Sequence, residues 1–253
     1  MKAIAIIALC MALGHFHGAE CLQYVQVFRD DFTPNHAIDG SKWNVITKPS
    51  TVNEELQHYV YDDVWQEHGF IFLRGQRRSW GGRQYTSGRV DTQNKFQFLY
   101  GEVEWRAKLP LGKGMWPALW LLHFQCPPAS PCPGTWPPEI DVMEFRGDIP
   151  NKVTTTVHFG RYPNNGHDGR DFWGPDFTAD FHNYKVIWDP NQIVWFVDGQ
   201  EVFKVTDANK IPHEPMYLIM NLAVGGWFGG NPDGSTPFPA HFIIDWVTVH
   251  RWQ

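Results

Sequence analysis

The segment Gly101–Pro110 alternates between apolar and polar residues almost without a break. Its apolar positions are Val103, Trp105, Ala107 and Leu109, and between them lie Glu102, Glu104, Arg106 and Lys108. Alternate side chains of a β-strand point to opposite faces of the sheet. The segment therefore predicts a strand of an antiparallel sheet, with one face buried and the other in water.

Other segments carry the same kind of signal. Ile193–Val197 and Val202–Val205 flank Asp198-Gly199, which predicts a hairpin with a tight turn. Further β-like runs are Lys185–Trp188, Met216–Ala223 and Phe242–Trp252. Gly, Pro, Asn and Asp interrupt the runs, as in Pro163–Gly169 and Gly229–Pro239, and no helical period of three or four turns follows the N-terminal segment. This pattern predicts a single all-β sandwich.

Composition narrows the class of protein. Hydrophobic residues make up 43% of the 253 residues, which is ample for one large core. Aromatic residues reach 15%, with 13 Trp, and such a set can fill a thick sandwich core or line a carbohydrate groove, where flat indoles pack on sugar rings. The net charge of −6, without a basic cluster, argues against nucleic acid or an anionic membrane as partner.

The N-terminus has the pattern of a secretory signal. Lys2 precedes an apolar run, Ala3–Leu13, that is too short to span a bilayer. Small residues allow cleavage after Gly14 or Ala19, so we expect a signal peptide in residues 1–19, a single domain in 20–253 and an extracellular protein. The alternative is a buried N-terminal helix. No later segment has the length and apolarity of a membrane span.

The cysteines fit an oxidising compartment. Cys126 and Cys132 lie in a Pro-rich loop and are predicted to form a disulfide. Cys10 leaves with the signal peptide, and Cys21 is either free or lost in processing. No matching pair of His or Cys lies close enough in sequence to complete a zinc site.

The most informative segment is Glu139-Ile-Asp-Val-Met-Glu144. In a regular strand Glu139 and Asp141 share one face, and Glu144 points to the other. One extra residue, a β-bulge near Val142-Met143, would return Glu144 to the face of the other two acids. We therefore predict three carboxylates on one face, with Ile140 and Val142 in the core.

A row of carboxylates suits glycosidic cleavage with retention. Like charges held together raise the pKa of at least one member. A retaining glycosidase uses one ionised carboxylate as nucleophile and one protonated carboxyl as acid, about 5–5.5 Å apart. Asp141, between the two longer side chains, could share a proton with the nucleophile. A solvated acidic edge strand or a metal site would place the same residue types together.

The sequence resembles glycoside hydrolase family 16, and within it the laminarinase-like endo-β-1,3-glucanases, from about Phe28 to Val249. The resemblance is carried by Glu139–Glu144 and by other blocks, which are Phe28–Phe32, Glu55–Gln57, Tyr85–Arg89, Tyr100–Glu104, Arg106–Pro110, Trp116–Trp120, Phe181–Tyr184, Asn221–Gly226 and Ile244–Val249. It implies a β-jelly-roll sandwich of two antiparallel sheets with a concave substrate groove. It also implies that Glu139 is the nucleophile, Glu144 the general acid/base and Asp141 the assisting carboxylate.

The resemblance extends to residues that bind substrate. It implies that His158 lies near the acid/base and that Trp116 and Trp120 stack on sugar rings, although Pro117 leaves open whether both lie on one side of a strand. Other candidates for sugar contacts are Asn53, Arg89, Trp136, Asn221 and Trp227, and each of the three polar ones can also be a surface or loop residue. Relatives suggest one structural calcium ion, for which Asp245 is the candidate ligand.

The expected partner is a neutral β-glucan, bound by a monomer that requires no cofactor for catalysis. Three alternatives to a β-1,3-glucanase stay open at this point. They are a mixed-linkage β-1,3/1,4-glucanase, a transglycosylase that uses the same covalent intermediate, and a non-catalytic glucan-recognition protein on the same fold. The intact Glu139, Asp141 and Glu144 favour an enzyme over the last of these.

Overall fold

The strands that the alternating patterns predict are present in the computed structural model, which describes residues 23–33, 37–123, 136–161 and 163–252. Within these residues the strands are β1 (Tyr24–Asp30), β2 (Asn44–Val45), β3 (Gln57–Tyr59), β4 (Val64–Glu67), β5 (Phe70–Gly75), β6 (Tyr85–Ser87), β7 (Arg89–Asp91), β8 (Gly101–Lys108), β9 (Met115–His123), β10 (Glu139–Phe145), β11 (Lys152–Phe159), β12 (Gly166–Trp173), β13 (His182–Asp189), β14 (Gln192–Val197), β15 (Gln200–Val205), β16 (Met216–Val224) and β17 (Ala240–Trp252). One short α-helix, Gly226–Gly229, and two 3₁₀ turns, Tyr61–Asp63 and Ala208–Lys210, complete the described elements.

Two large antiparallel sheets form a jelly-roll sandwich, as predicted. One sheet has the strand order β15-β14-β13-β8-β17-β5-β4, with β1 paired to β17, and the other has seven strands in the order β12-β11-β10-β9-β16-β7-β2. The short strands β3 and β6 form a separate parallel pair. None of the helices in the described part of the chain is long and apolar enough to cross a membrane.

The core lies between the sheets. Val103, Trp105 and Ala107 of β8 are fully buried, while the polar residues between them are partly exposed, which confirms the predicted half-buried strand. The seven-stranded sheet contributes the other half of the core, including Leu119 and Leu121 of β9. Its outer face is therefore left for polar and aromatic side chains, and it carries the candidate site.

One segment differs from the expectation. Pro163–Gly169, interpreted from its composition as an interruption between strands, contains the start of β12, which pairs with β11 from Gly166 to Trp173. Gly169 belongs there for a steric reason, because a Cβ atom at this position would lie 2.6 Å from the backbone oxygen of Thr155. The close approach of two strands, and not local propensity, places a glycine in this strand.

Candidate active site

The three carboxylates lie on β10, near the middle of the seven-stranded sheet. Glu139 pairs with His158 of β11, Asp141 with Thr156 and Glu144 with Thr154. Because directly paired residues of adjacent strands point to the same face, all three acids and His158 share the outer face of the sheet. His158, Thr156 and Thr154 thus lie in phase along β11 and face the same side as the acids.

A β-bulge makes this arrangement possible. The register of β10 shifts between Asp141 and Glu144 against β11, and between Asp141 and Met143 against β9. The consecutive residues Val142 and Met143 are both buried in the core. Two core residues in succession return Glu144 to the outer face, so the predicted bulge and the predicted burial of Ile140 and Val142 are confirmed.

A tryptophan of the opposite sheet contacts the bulge from the core. The indole N–H of Trp195, a fully buried residue of β14, donates a hydrogen bond of 2.9 Å to the backbone oxygen of Asp141. The bond is made where the register of the ladder shifts and where a strand carbonyl needs a partner from outside the regular pattern. Sequence analysis did not identify Trp195, because the bond joins two sheets.

Each glutamate of the site accepts a hydrogen bond from an indole. Trp136 Nε1 donates to Glu139 Oε2 at 3.1 Å, and Trp116 Nε1 donates to Glu144 Oε1 at 3.0 Å. His158 Nε2 lies 3.2 Å from Asp141 Oδ2 and 3.7 Å from Glu139 Oε1. The site therefore holds the acids between two indole donors and one imidazole.

The carboxyls hold protons more strongly than carboxyls in water. Burial, and then the charge of Asp141, raise the pKa of Glu139 well above its ordinary value. Burial raises the pKa of Asp141 to about 7. Burial and the charge of Asp141 raise the pKa of Glu144 to about 8, against the opposing effects of the Trp116 hydrogen bond and of His158. A cluster of this kind carries protons near neutral pH, and Glu144 is suited to donate one.

The same cluster is where a cation could be held. Ligand atoms of Glu139, Asp141 and His158 lie within 4.8 Å of one another, and the described residues contain no other such group of three His, Cys, Asp or Glu side chains. The predicted calcium ligand, Asp245, lies on β17 of the other sheet, where its carboxylate forms an ion pair with Arg106. A calcium site at Asp245 stays a prediction.

Trp116 and Trp120 lie on the same side of β9. Their strand is paired regularly with β16 over its whole length, so Pro117 does not redirect it. Trp116 is buried against Phe228, and Trp120 is partly exposed. Trp227, whose surface is 66% exposed, lies with its ring centroid 5.7 Å from that of Trp116. The outer face of the sheet thus carries indoles beside the acids.

The three polar candidates have different environments. The guanidinium carbon of Arg89 lies 5.3 Å from the ring centroid of Trp120, and its buried Nε has no hydrogen-bond partner among the described residues. Asn221 is 7% exposed and uses both ends of its amide, accepting from Trp120 Nε1 and donating to Tyr59 Oη. Asn53 is exposed and donates to Glu55 Oε1. Direct sugar contacts of these residues stay predictions.

Two further residues next to the site, Glu55 and Tyr59, were not predicted from the sequence. Glu55 and Gln57 lie in one of the blocks that carry the family resemblance, and Tyr59 follows at the same spacing of two residues. That spacing was the available signal for side chains on one face.

The predicted signal peptide and the Cys126–Cys132 disulfide lie outside the described residues.

The chain belongs to family 16 of the glycoside hydrolases, because it matches the model of "Glycosyl hydrolases family 16" over residues 41–248. It is 32% identical to the "Beta-glucanase" of Rhodothermus marinus, with 98% of this chain and 93% of that protein covered. It is 38% identical to "Glucan endo-1,3-beta-glucosidase A1" of Niallia circulans over 90% of this chain, which spans only 38% of that longer protein.

Solved structures agree with this assignment. The laminarinase from Rhodothermus marinus superposes with a TM-score of 0.83 at 33% identity, over 92% of this chain and 100% of that one. The endo-β-1,3-glucanase from Pyrococcus furiosus gives a TM-score of 0.81 at 31% identity, over 92% and 97%. Family and neighbours together identify the chain as a glycoside hydrolase of family 16 with the fold of these two enzymes.

Proposed function

We propose that the protein is an exported endo-β-1,3-glucanase that cleaves a laminarin-like glucan with retention of configuration. The observation that carries the proposal is the bulged strand β10, which places Glu139, Asp141 and Glu144 on one face with an indole donor to each glutamate. Export is supported by the signal pattern of the N-terminus, and a monomer is sufficient, because a single chain supplies all the residues of the site.

The first step forms a covalent intermediate. The Glu139 carboxylate attacks the anomeric carbon, while Glu144 donates its proton to the departing glycosidic oxygen, so that one C–O bond forms as the other breaks. The raised pKa of Glu144 keeps that proton available near neutral pH. Glu139 must be ionised to attack, and the N–H of Trp136 and the nearby His158 both favour its ionised form.

The second step returns the enzyme to its starting state. Glu144, now ionised, removes a proton from water, whose oxygen attacks the anomeric carbon and releases Glu139. Asp141 lies between the two glutamates in sequence and next to His158 in space. It can hold the proton that the crowded cluster retains, so that Glu139 stays ionised for the next attack, which is the role we propose for it.

Endo-action follows from the spread of aromatic side chains. Trp120 and Trp136 precede the acids in sequence and Trp227 follows them, and these three indoles are exposed enough to stack on sugar rings of a long neutral chain. Trp116 is buried and supports this surface by packing beside Trp227. Stacking at several subsites would bind internal residues of the polymer. An exo-enzyme needs instead a closed pocket that recognises a chain end.

Product analysis on laminarin, lichenan and agarose tests the proposal. We expect laminarin to give a ladder of oligosaccharides with a rapid fall in polymer length, and Glu139→Ser to lose hydrolysis by orders of magnitude while it still binds the polymer. Release of glucose alone at nearly constant polymer length would contradict endo-action. Preference for lichenan would assign mixed-linkage activity, which is the activity in the name of the relative EglC of Rhizobium meliloti, 34% identical over 89% of this chain.

The same assay separates an enzyme from a recognition protein. The "Beta-1,3-glucan-binding protein" of Penaeus monodon is 31% identical over 66% of this chain. Retention of laminarin by the wild-type protein without cleavage would favour such a role and reject the proposed hydrolase. Product chains longer than the starting oligosaccharide would indicate transglycosylation.

A further inference from the structure

Glu55 is a buried carboxylate on which four neutral donors converge. It is 8% exposed, and its oxygens accept from Ser50 Oγ at 2.8 Å, Asn53 Nδ2 at 3.2 Å, Gln57 Nε2 at 2.6 Å and Tyr59 Oη at 3.5 Å. None of the ion pairs among the described residues includes Glu55. A buried carboxylate without a cationic partner depends on hydrogen bonds for its stability. The four neighbouring donors are therefore oriented toward the Glu55 carboxylate.

One branch of this network leads to Trp120, and chemistry determines its direction. An indole can only donate, so the bond of 2.7 Å from Trp120 Nε1 requires the oxygen of Asn221. The amide nitrogen of Asn221 must then donate to Tyr59 Oη, at 3.2 Å. The Tyr59 hydrogen is left to point at Glu55. All three bonds are oriented toward one negative charge, and bonds aligned in this way strengthen one another.

A second branch leads to the segment that carries Trp227. Gln57 donates its amide nitrogen to Glu55, so its oxygen is free to accept from the backbone N–H of Val224 at 2.8 Å. Asn53 donates its side chain to Glu55, and its backbone oxygen accepts from the N–H of Trp227 at 3.0 Å. The chain between Val224 and Trp227 is thus attached at both ends to residues that Glu55 holds.

We infer that Glu55 is a positioning residue that sets the placement of the Trp120 and Trp227 indoles relative to each other. This inference rests on the proposed function, because the placement of these indoles affects activity only if the outer face binds a glucan. Among the described residues, Glu55 forms no hydrogen bond or ion pair with Glu139, Asp141 or Glu144, and it takes no part in bond cleavage. Its effect is on substrate binding, and a carboxylate is required because an amide would present its own N–H groups to the converging donors.

The substitution Glu55→Gln tests this inference, with Glu54→Gln as its matched control. Glu54 is the exposed neighbour on the same turn, and its replacement changes net charge by the same amount. On the β-glucan that the wild-type enzyme cleaves, we expect Glu55→Gln to raise KM by about tenfold, because displaced Trp120 and Trp227 indoles stack less well on the sugar rings. We expect kcat within about twofold of the wild-type value and an unchanged pH profile. A wild-type KM, or a fall in kcat of more than tenfold at unchanged KM, would overturn the inference.

Tyr59→Phe keeps the ring and removes only the branch to Trp120, so it carries the test if Glu55→Gln does not fold. We expect Tyr59→Phe to raise KM. In the double variant, the fold-increase in KM should be smaller than the product of the two single fold-increases. Independent effects of the two substitutions, or a wild-type KM for Tyr59→Phe, would contradict the network. Failure of the wild-type protein to cleave any β-glucan would instead reject the proposed function. In that case binding of the same variants to insoluble β-1,3-glucan tests the positioning role.

Discussion

At the scale of single residues, the behaviour of the site depends on the proton of Glu144. Its pKa of about 8 results from burial and from the charge of Asp141, while the N–H of Trp116 favours the ionised form. A general acid must be protonated at the start of the reaction. Under the proposed mechanism, kcat should therefore fall as pH rises through the pKa of Glu144.

Removing the indole donor should move this alkaline limit. In Trp116→Phe the ionised form of Glu144 loses a hydrogen bond, so its pKa should rise and the alkaline limb of the kcat profile should move to higher pH. We expect a shift of up to ~1 pH unit, since ~1.4 kcal/mol corresponds to one unit. Trp120→Phe is the control, because Trp120 donates to Asn221 and not to a carboxylate. An equal shift in both variants, or a shift to lower pH, would contradict the role of Trp116.

The same pKa predicts a conflict between activity and stability. The folded state holds the Glu144 proton to a pH of about 8, whereas the ordinary value is 4.5. The free energy of unfolding therefore falls as pH rises from 4.5 to 8, because the folded state must give up a proton that it binds more tightly than the unfolded chain does. Above pH 8 this loss is complete. Glu144→Gln should raise Tm at pH 8 by a few degrees, which corresponds to a gain in free energy of unfolding on the order of 1–2 kcal/mol. At pH 4 the substitution should leave Tm nearly unchanged. Equal effects at both pH values would argue against the raised pKa.

At the scale of elements, the bulge of β10 is held by the opposite sheet. Trp195 and Trp188 are both fully buried, and each donates to a backbone oxygen, that of Asp141 for Trp195 and that of Pro212 for Trp188 at 3.0 Å. Trp195 contacts the bulge, and Trp188 does not. The two residues therefore form a matched pair for separating support of the active strand from general stability.

Trp195→Phe should lower both stability and activity. Each substitution, Trp195→Phe and Trp188→Phe, leaves a buried carbonyl without its donor, which costs about 1–3 kcal/mol, so thermal unfolding should begin several degrees earlier in both. Only Trp195→Phe should lower kcat, by about tenfold or more, because the acids shift relative to one another. Similar kcat values for the two variants, measured well below Tm, would show that the bulge does not depend on Trp195.

At the scale of the whole molecule, the mechanism predicts the configuration of the product. Nucleophile and acid/base are crowded onto one strand, which leaves little room for a water molecule to attack directly, so cleavage should proceed with retention. Proton NMR of freshly formed product should show the β-anomer first, with the α-anomer appearing only as mutarotation proceeds. Initial appearance of the α-anomer would reject Glu139 as nucleophile.

The sequence by itself determined the features that depend on local order along the chain. Alternation in Gly101–Pro110 predicted β8, the Asp-Gly turn predicted the β14–β15 hairpin, and the spacing of Glu139, Asp141 and Glu144 predicted a bulge that the structure contains. These inferences succeed because the side-chain period of a strand is a local property of the backbone.

Only the tertiary structure decided which distant residues complete the site. The bonds from Trp195 to Asp141, from Trp120 to Asn221 and from Asn221 to Tyr59 join residues 54, 101 and 162 positions apart. No period in the sequence encodes such pairs, because strand order and register bring them together only when the sheets assemble. Glycine in β12 has the same origin, since it is the approach of the Thr155 backbone that excludes a side chain at Gly169. The arrangement of the three acids could therefore be predicted from one segment of sequence. The contacts of the side chains that orient them, and the placement of the indoles beside them, depend on how the whole chain pairs its strands.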